Sequence, residues 1–174
     1  MVQREPVEVT NLDGYGSPAL EWSRARQCLA EGTGPEVAYF LGTTGPDGRP
    51  HAAGIGAVWE DGDLYLVSGA GTRKSRNLAA NPACTVSARL AGMDVVLSGE
   101  ASRVVDRPTL DRIAARYREL GWPAEVAGDA FTAPYSAPSA GPPPWQLYRV
   151  TVQVVVGLAT AEPHGATRWR FAAG

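Results

Sequence analysis

Hydrophobic and polar positions alternate in short runs over much of the chain, the period of strands that bury one face. Residues 37–44, 50–59, 64–68, 83–90, 94–105, 147–160 and 166–171 read as strands on this pattern. The segments between them carry turn chemistry: Gly45-Pro46-Asp47-Gly48, Glu60-Asp61-Gly62-Asp63, Gly92 and His164-Gly165. Asp61 and Asp63 are explained there by turn propensity. Three stretches take the helical period instead. Ser17-Pro18 reads as an N-cap and first-turn proline ahead of Trp22, Ala25 and Leu29, with Gly32 as the stop. Thr72 caps a short helix that Asn81-Pro82 ends. Asp106 caps a third over residues 108–120, whose apolar stripe is Leu110, Ile113, Ala114, Tyr117 and Leu120. Trp22 reads as core packing. Residues 1–16 show little periodicity and are expected as an extended arm ahead of a single domain, residues 17–174.

Strands joined by hairpins, with two or three helices inserted, predict a mainly β fold, and their short even spacing favours a small antiparallel barrel. Residues 121–146 escape the pattern: Ala, Gly and Pro dominate, with Phe131, Tyr135 and Trp145 among them. A loop that long inside a compact domain reads as a semi-rigid flap that packs on something. Residues 50–59 are unusual in another way. Ala52, Ala53, Gly54, Gly56 and Ala57 leave a strand nearly bare of side chains, the mark of close approach by a backbone or a ligand.

Composition narrows the chemistry. A chain of 174 residues, 44% hydrophobic and 20% charged, fits one soluble globular domain. A net charge of −2 argues against general nucleic-acid binding. Cys28 and Cys84 form no metal or redox motif and are expected as reduced core thiols. His51 and His164 are the only histidines, so no metal site is expected. The first residues carry no apolar leader and no run reaches membrane-spanning length, so the expected setting is the cytoplasm.

Against that weakly acidic background, residues 69–82, GAGTRKSRNLAANP, stand out. Arg73, Lys74 and Arg76 crowd the first turn of a helix, where cations oppose the macrodipole. Lys74 is also the sole lysine of the chain. A solvated basic turn is the plain alternative; an anion held jointly by helix N–H groups and cations makes sense of the arrangement. There is no Walker A loop, no GxGxxG and no nucleophile elbow. Ser68 and Ser98 lack His and Asp partners in sequence, and His51 opens the small-residue strand within reach of a ligand. What remains is a cofactor site: a planar ring on the small-residue strand, its phosphate reaching Arg73, Lys74 and Ser75.

The order strand–PDGRP–strand–GDLYLVSG–TRKSRNL–NP resembles the flavin-binding split-barrel superfamily of pyridoxine phosphate oxidase-like proteins, over residues 22–171. TRKSRNLAANP and the terminal GATRWRF are similar to the actinobacterial branch that uses the deazaflavin coenzyme F420. The resemblance implies a six-stranded antiparallel split β-barrel, paired as a homodimer with cofactor sites at the subunit interface. It implies that Ala53, Gly54, Ile55 and Gly56 lie along the ring system, largely through backbone groups, and that Val67 and Ser68 flank it. Arg73, Lys74 and Ser75 would take the phosphate. Arg168 and Trp169 match a tail that many relatives bring to the site from the other subunit. The basic residues by which true pyridoxine phosphate oxidases hold their substrate are not recognisable. The implied activity is hydride transfer between reduced F420 and an unsaturated organic substrate. An FMN-dependent oxidase-like enzyme and a non-catalytic cofactor-binding or stress-response protein are the alternatives. The catalytic residues stay open, with Tyr135 and Tyr148 the candidate proton donors. The flap is expected to face an apolar or aromatic substrate.

Overall fold

The longest strand, β10 (Trp145–Ala159), organises the sheet of the computed structural model, which describes residues 4–134 and 140–172. One edge of β10 pairs with β7 (Met93–Val104) over nearly its whole length. The other edge is shared. β5 (Asp63–Gly69) takes Trp145–Val150, and β11 (Ala166–Arg170) takes Val154–Leu158. From β7 the sheet continues through β6 (Ala83–Leu90) and β2 (Tyr39–Thr44) to β3 (Pro50–Ile55). β3 passes through Gly56 into β4 (Ala57–Glu60), which pairs with β5 and returns the sheet to β10. Counted with β3–β4 as one strand, the ring has six members, the split barrel that the resemblance implies.

Several elements differ from the sequence reading, each for a tertiary reason. The arm contains β1 (Glu8–Asn11), which pairs with β11; its Val7 and Val9 are exposed, so no alternation announced it. The first helix, α1 (Trp22–Glu31), starts after Glu21 rather than after Ser17. Leu20 is buried and its N–H donates to Thr167 Oγ1 at 2.8 Å, which holds the preceding residues extended. The loop expected over 121–146 opens with a small hairpin, β8 (Glu125–Ala127) and β9 (Ala130–Thr132), turning at Gly128 with φ of 63°. Tyr135 lies outside the described residues. The two remaining helices, α2 (Arg73–Ala80) and α3 (Arg107–Glu119), keep the N-caps Thr72 and Asp106 that the sequence predicts.

Two cores meet back to back across β5 and β10. Inside the ring lie Leu41, Leu64, Leu66, Val86, Leu97, Val150 and Val155, closed at one end by Trp22, Trp169 and Phe171. Outside it, α3 and the β8–β9 hairpin bury Tyr65, Ile113, Tyr117, Phe131, Trp145 and Leu147. A strand covered on both faces needs no alternation, which is why Leu64, Tyr65 and Leu66 are all buried. Both cysteines are free thiols; Cys84 is buried and burial pushes its pKa up to about 11.

The split in the barrel is set at Asp63. Where β5 leaves β10, Val152 N–H donates to Asp63 Oδ1 at 3.2 Å in place of a strand partner. The same carboxylate accepts from Arg4 Nη1 at 2.9 Å and Arg149 Nε at 2.6 Å, with Asp63 only 2% exposed. An extra residue in β10, between Val152 and Val154, marks the hand-over on the β7 side. There the strands come so close that a Cβ on Gly99 would sit 2.1 Å from the Thr151 carbonyl oxygen. Asp63 is therefore a structural anion, not only a turn residue. Removing one partner of a buried ion pair costs about 3–5 kcal/mol. Both arginines keep contact with water, so the low end applies. Asp63→Ala is expected to lose about 3 kcal/mol in urea unfolding; a loss under about 1 kcal/mol would contradict this role.

Candidate functional site

The turn from β5 into α2 is held by three hydroxyls. Ser68 Oγ lies 2.7 Å from Thr72 Oγ1, Ser75 Oγ donates to Ser68 Oγ at 2.9 Å, and Thr72 Oγ1 donates to Gly69 O at 3.0 Å. Thr72 Oγ1 also accepts from Ser75 N–H at 3.3 Å, the N-cap bond. With Ser68 donating to Thr72, every hydroxyl proton in the set has an acceptor. Ser68 and Ser75 are buried, so this network fixes the first turn of α2 on the end of β5. Further along the helix, buried Asn77 Nδ2 donates to Thr43 Oγ1 at 3.0 Å and pins α2 to β2.

The cations of the first turn divide in two. Arg73 is exposed, and its Nη2 stands over the β2–β3 turn, 3.9 Å from where a Cβ on Gly45 would lie. Lys74 is 4% exposed. Desolvation by burial lowers its pKa. An ammonium under an N-cap is disfavoured by the helix dipole as well as by burial. Arg76 folds back and its Nη1 donates to the Gly71 carbonyl.

β3 is the terminal strand of its path, so among the described residues one edge of its backbone has no strand against it. Its alternation divides the expected floor. Ile55 is buried and Ala53 half-buried on the face that carries His51; Gly54 and Gly56 are exposed on the other. A Cβ built on Gly54 or Gly56 meets nothing within 4 Å, which describes an open ledge. His51 pairs with Thr43, the acceptor for Asn77, so the head of β3 and the helix α2 share one wall. His51 Nδ1 is buried there with no hydrogen-bond partner among the described residues. From His51 to Gly56 the ledge spans roughly 16 Å at about 3.3 Å per residue. Val67, half-buried on β5, lines a cavity together with Gly56 at its far end.

The expected tail residues lie elsewhere in the chain. Trp169 is fully buried in the barrel core, 5.6 Å from Trp22 between ring centroids, and Arg168 Nη2 donates to Thr10 Oγ1 at 3.2 Å. Phe131 and Trp145 are also fully buried, so they support the site from behind instead of facing a substrate. Tyr148 is buried, with its hydroxyl donating to Gln146 Oε1 at 2.8 Å. Sequence reasoning missed Asn77 and Trp122. Asn77 had a legible signal, since a polar residue on the buried face of a short helix needs a partner. Trp122 had none beyond its place after a helix stop. Among the described residues no group of His, Cys, Asp and Glu forms a metal site, and no helix is long and apolar enough to cross a membrane.

A six-stranded split barrel with an open small-residue strand beside a basic helix start is the fold of the flavin-binding split barrels. Residues 29–159 match the profile of the pyridoxamine 5'-phosphate oxidase family, and the chain belongs to that family. Solved structures agree on the fold. An F420 reductase superposes with a TM-score of 0.53 at 20% identity, covering 75% of this chain and 94% of that one. An FMN-binding, pyridoxamine 5'-phosphate oxidase-related protein from Nostoc punctiforme gives 0.55 at 16% identity, covering 83% and 85%. A FAD-binding protein from Mesorhizobium loti gives 0.54 at 19% identity, covering 88% and 96%. No curated protein matches the chain.

The burial of Lys74 yields a stability prediction. The folded chain holds this proton less firmly than the unfolded chain, whose lysine titrates near 10.5. The burden on stability is therefore full at neutral pH and lifts as pH rises from the lowered value towards 10.5. Lys74→Met, which keeps the stem, is expected to cost less than about 1 kcal/mol at pH 7. Relative to it, the native chain should gain stability over that alkaline interval in urea melts. A loss above about 2 kcal/mol would make Lys74 a structural residue.

Proposed function

We propose that the protein is a cytoplasmic, homodimeric oxidoreductase that transfers hydride between reduced coenzyme F420 and an unsaturated organic substrate. The observation that carries this reading is the buried ammonium of Lys74 in the first turn of α2, set beside the open Gly54–Gly56 ledge. A buried cation at a helix N-terminus is costly for the fold and well suited to a phosphate. The family includes oxidoreductases, and the resemblance of the TRKSRNLAANP and GATRWRF motifs to the F420-using branch favours the deazaflavin over FMN. An exposed row across the sheet supports a dimer: Phe40, Val96 and the half-buried Val156 occupy one register line through Ser87.

The residues present fit such a cofactor. Lys74 and Arg73 would hold the phosphate, with the N–H groups of the helix start as further donors. Ser75 acts differently from the expectation: its hydroxyl is committed to Ser68, so its contribution is the placement of the turn. The unpaired edge of β3 and the bare ledge at Gly54 and Gly56 would accept a planar ring system with no side chain in the way. Bound there, a reduced deazaflavin supplies the hydride. The chain supplies orientation and exclusion of water, and solvent supplies the proton, since Tyr148 is tied to Gln146.

Titrating the purified chain with F420 and with FMN, followed by cofactor fluorescence, tests this reading. Tighter binding of F420 is expected; tighter binding of FMN overturns the assignment. Lys74→Ala should weaken F420 binding by about 1.5–3 kcal/mol, the worth of hydrogen bonds to charged groups. Oxidation of reduced F420 by a panel of enones and quinones then separates an enzyme from a carrier, which would bind without turnover.

A further inference from the structure

Beyond the ledge lies a cavity of about 210 Å³, whose lining among the described residues includes Pro35, Gly56, Val67, Tyr117, Leu120 and Trp122. It shares Gly56 and Val67 with the candidate cofactor groove, so the two are continuous. Its described lining carries no charged side chain. Pockets for drug-sized ligands run to about 300–1,000 Å³, whereas a dry apolar cavity of about 150 Å³ takes one benzene ring. The volume is enough for a single six-membered ring with a small substituent.

The aromatic wall is rigid. Trp122 stands edge-on to Tyr117, with ring centroids 5.0 Å apart and planes at 83°, and it packs on Trp145 at 5.4 Å. Tyr117 is braced in turn by Phe131 at 6.2 Å. Besides the Trp122 indole N–H, the wall carries one polar side-chain group, the Tyr117 hydroxyl. Among the described residues the Tyr117 hydroxyl reaches only Gly56 O and Tyr65 O, each at 3.5 Å, the outer limit of a hydrogen bond. Burial raises its pKa, so it stays a donor across the physiological range. A buried donor this poorly matched is available to a better acceptor.

We propose that this cavity is the substrate's ring site, and that it takes an uncharged, single six-membered ring bearing a carbonyl oxygen, which the Tyr117 hydroxyl recognises. The claim rests on the proposed function, whose substrate class it narrows to cyclohexenone-like or benzoquinone-like rings. Trp122 and Leu120 set the size limit, and Tyr117 sets the preference for a carbonyl over a bare hydrocarbon ring.

The test uses the full chain without cofactor and reads the Trp122 indole N–H resonance, assigned through Trp122→Phe. Cyclohexanone, an unreactive probe, is expected to shift that resonance saturably. 1-Tetralone, with two fused rings, is expected to leave it in place. Tyr117→Phe should weaken cyclohexanone binding about fivefold, within the worth of one neutral hydrogen bond, and leave toluene binding unchanged. Leu120→Trp, at the half-buried C-cap of α3, should fill the cavity and abolish both. Equal binding of cyclohexanone and 1-tetralone, or an unmoved Trp122 signal, overturns the proposal. Repeating the titration with F420 present separates the two claims. Ring binding that persists supports a distinct substrate site, and competition by F420 would give the cavity to the cofactor and overturn it. If F420 fails to bind while cyclohexanone still shifts Trp122, the ring site stands and the cofactor assignment falls.

Discussion

The barrel depends on a carboxylate that stands where a strand should be. β10 is longer than either neighbour on its open edge, so β5 must leave it before β11 can join. The Val152 N–H falls in the interval, and Asp63 accepts it while holding Arg4 and Arg149. A backbone donor buried without an acceptor costs about 1–3 kcal/mol, and that penalty would fall where β10 passes from β5 to β11 with no strand partner on that edge. The path of β5 follows from this anchor, and β5 carries the Ser68 end of the hydroxyl network. The position of the helix start, and with it the candidate site, thus traces back to one aspartate at the opposite end of the same strand.

At that other end, local order is obtained largely with hydroxyl groups. Ser68, Thr72 and Ser75 satisfy one another and the first turn, and Lys74 lies buried beside them. Its burial runs against both the dipole and desolvation. Residues that lower stability locally, in a place over-determined by their surroundings, are characteristic of binding sites. The bare ledge of β3 fits the same reading, since glycines at Gly54 and Gly56 weaken a strand and no neighbour crowds their missing side chains.

Much of this was legible in the chain. Alternation located most of the ring strands because each buries one face, and the N-caps at Thr72 and Asp106 announced two helices through local chemistry. Lys74 drew attention as the sole lysine. What escaped notice depends on partners far away in sequence. Asp63 looks like any acidic turn residue until Arg149 and Val152 are brought to it. The start of α1 is overruled by the Leu20 bond to Thr167. Phe131 and Trp145 read as flap aromatics, yet α3 and the β8–β9 hairpin make a second core that closes over them. Trp122 is the half-buried aromatic instead, packed on Tyr117 and Trp145 at the rim of that core.

The central claim is that the open strand and the basic helix start form one groove for a phosphate-bearing ring cofactor. Amide resonances of the chain, followed through a titration with F420, address it most directly. The account predicts saturable shifts confined to residues 51–56 and 71–77 and their immediate neighbours. Saturable shifts that spare both segments, or that fall on only one of them, would contradict it.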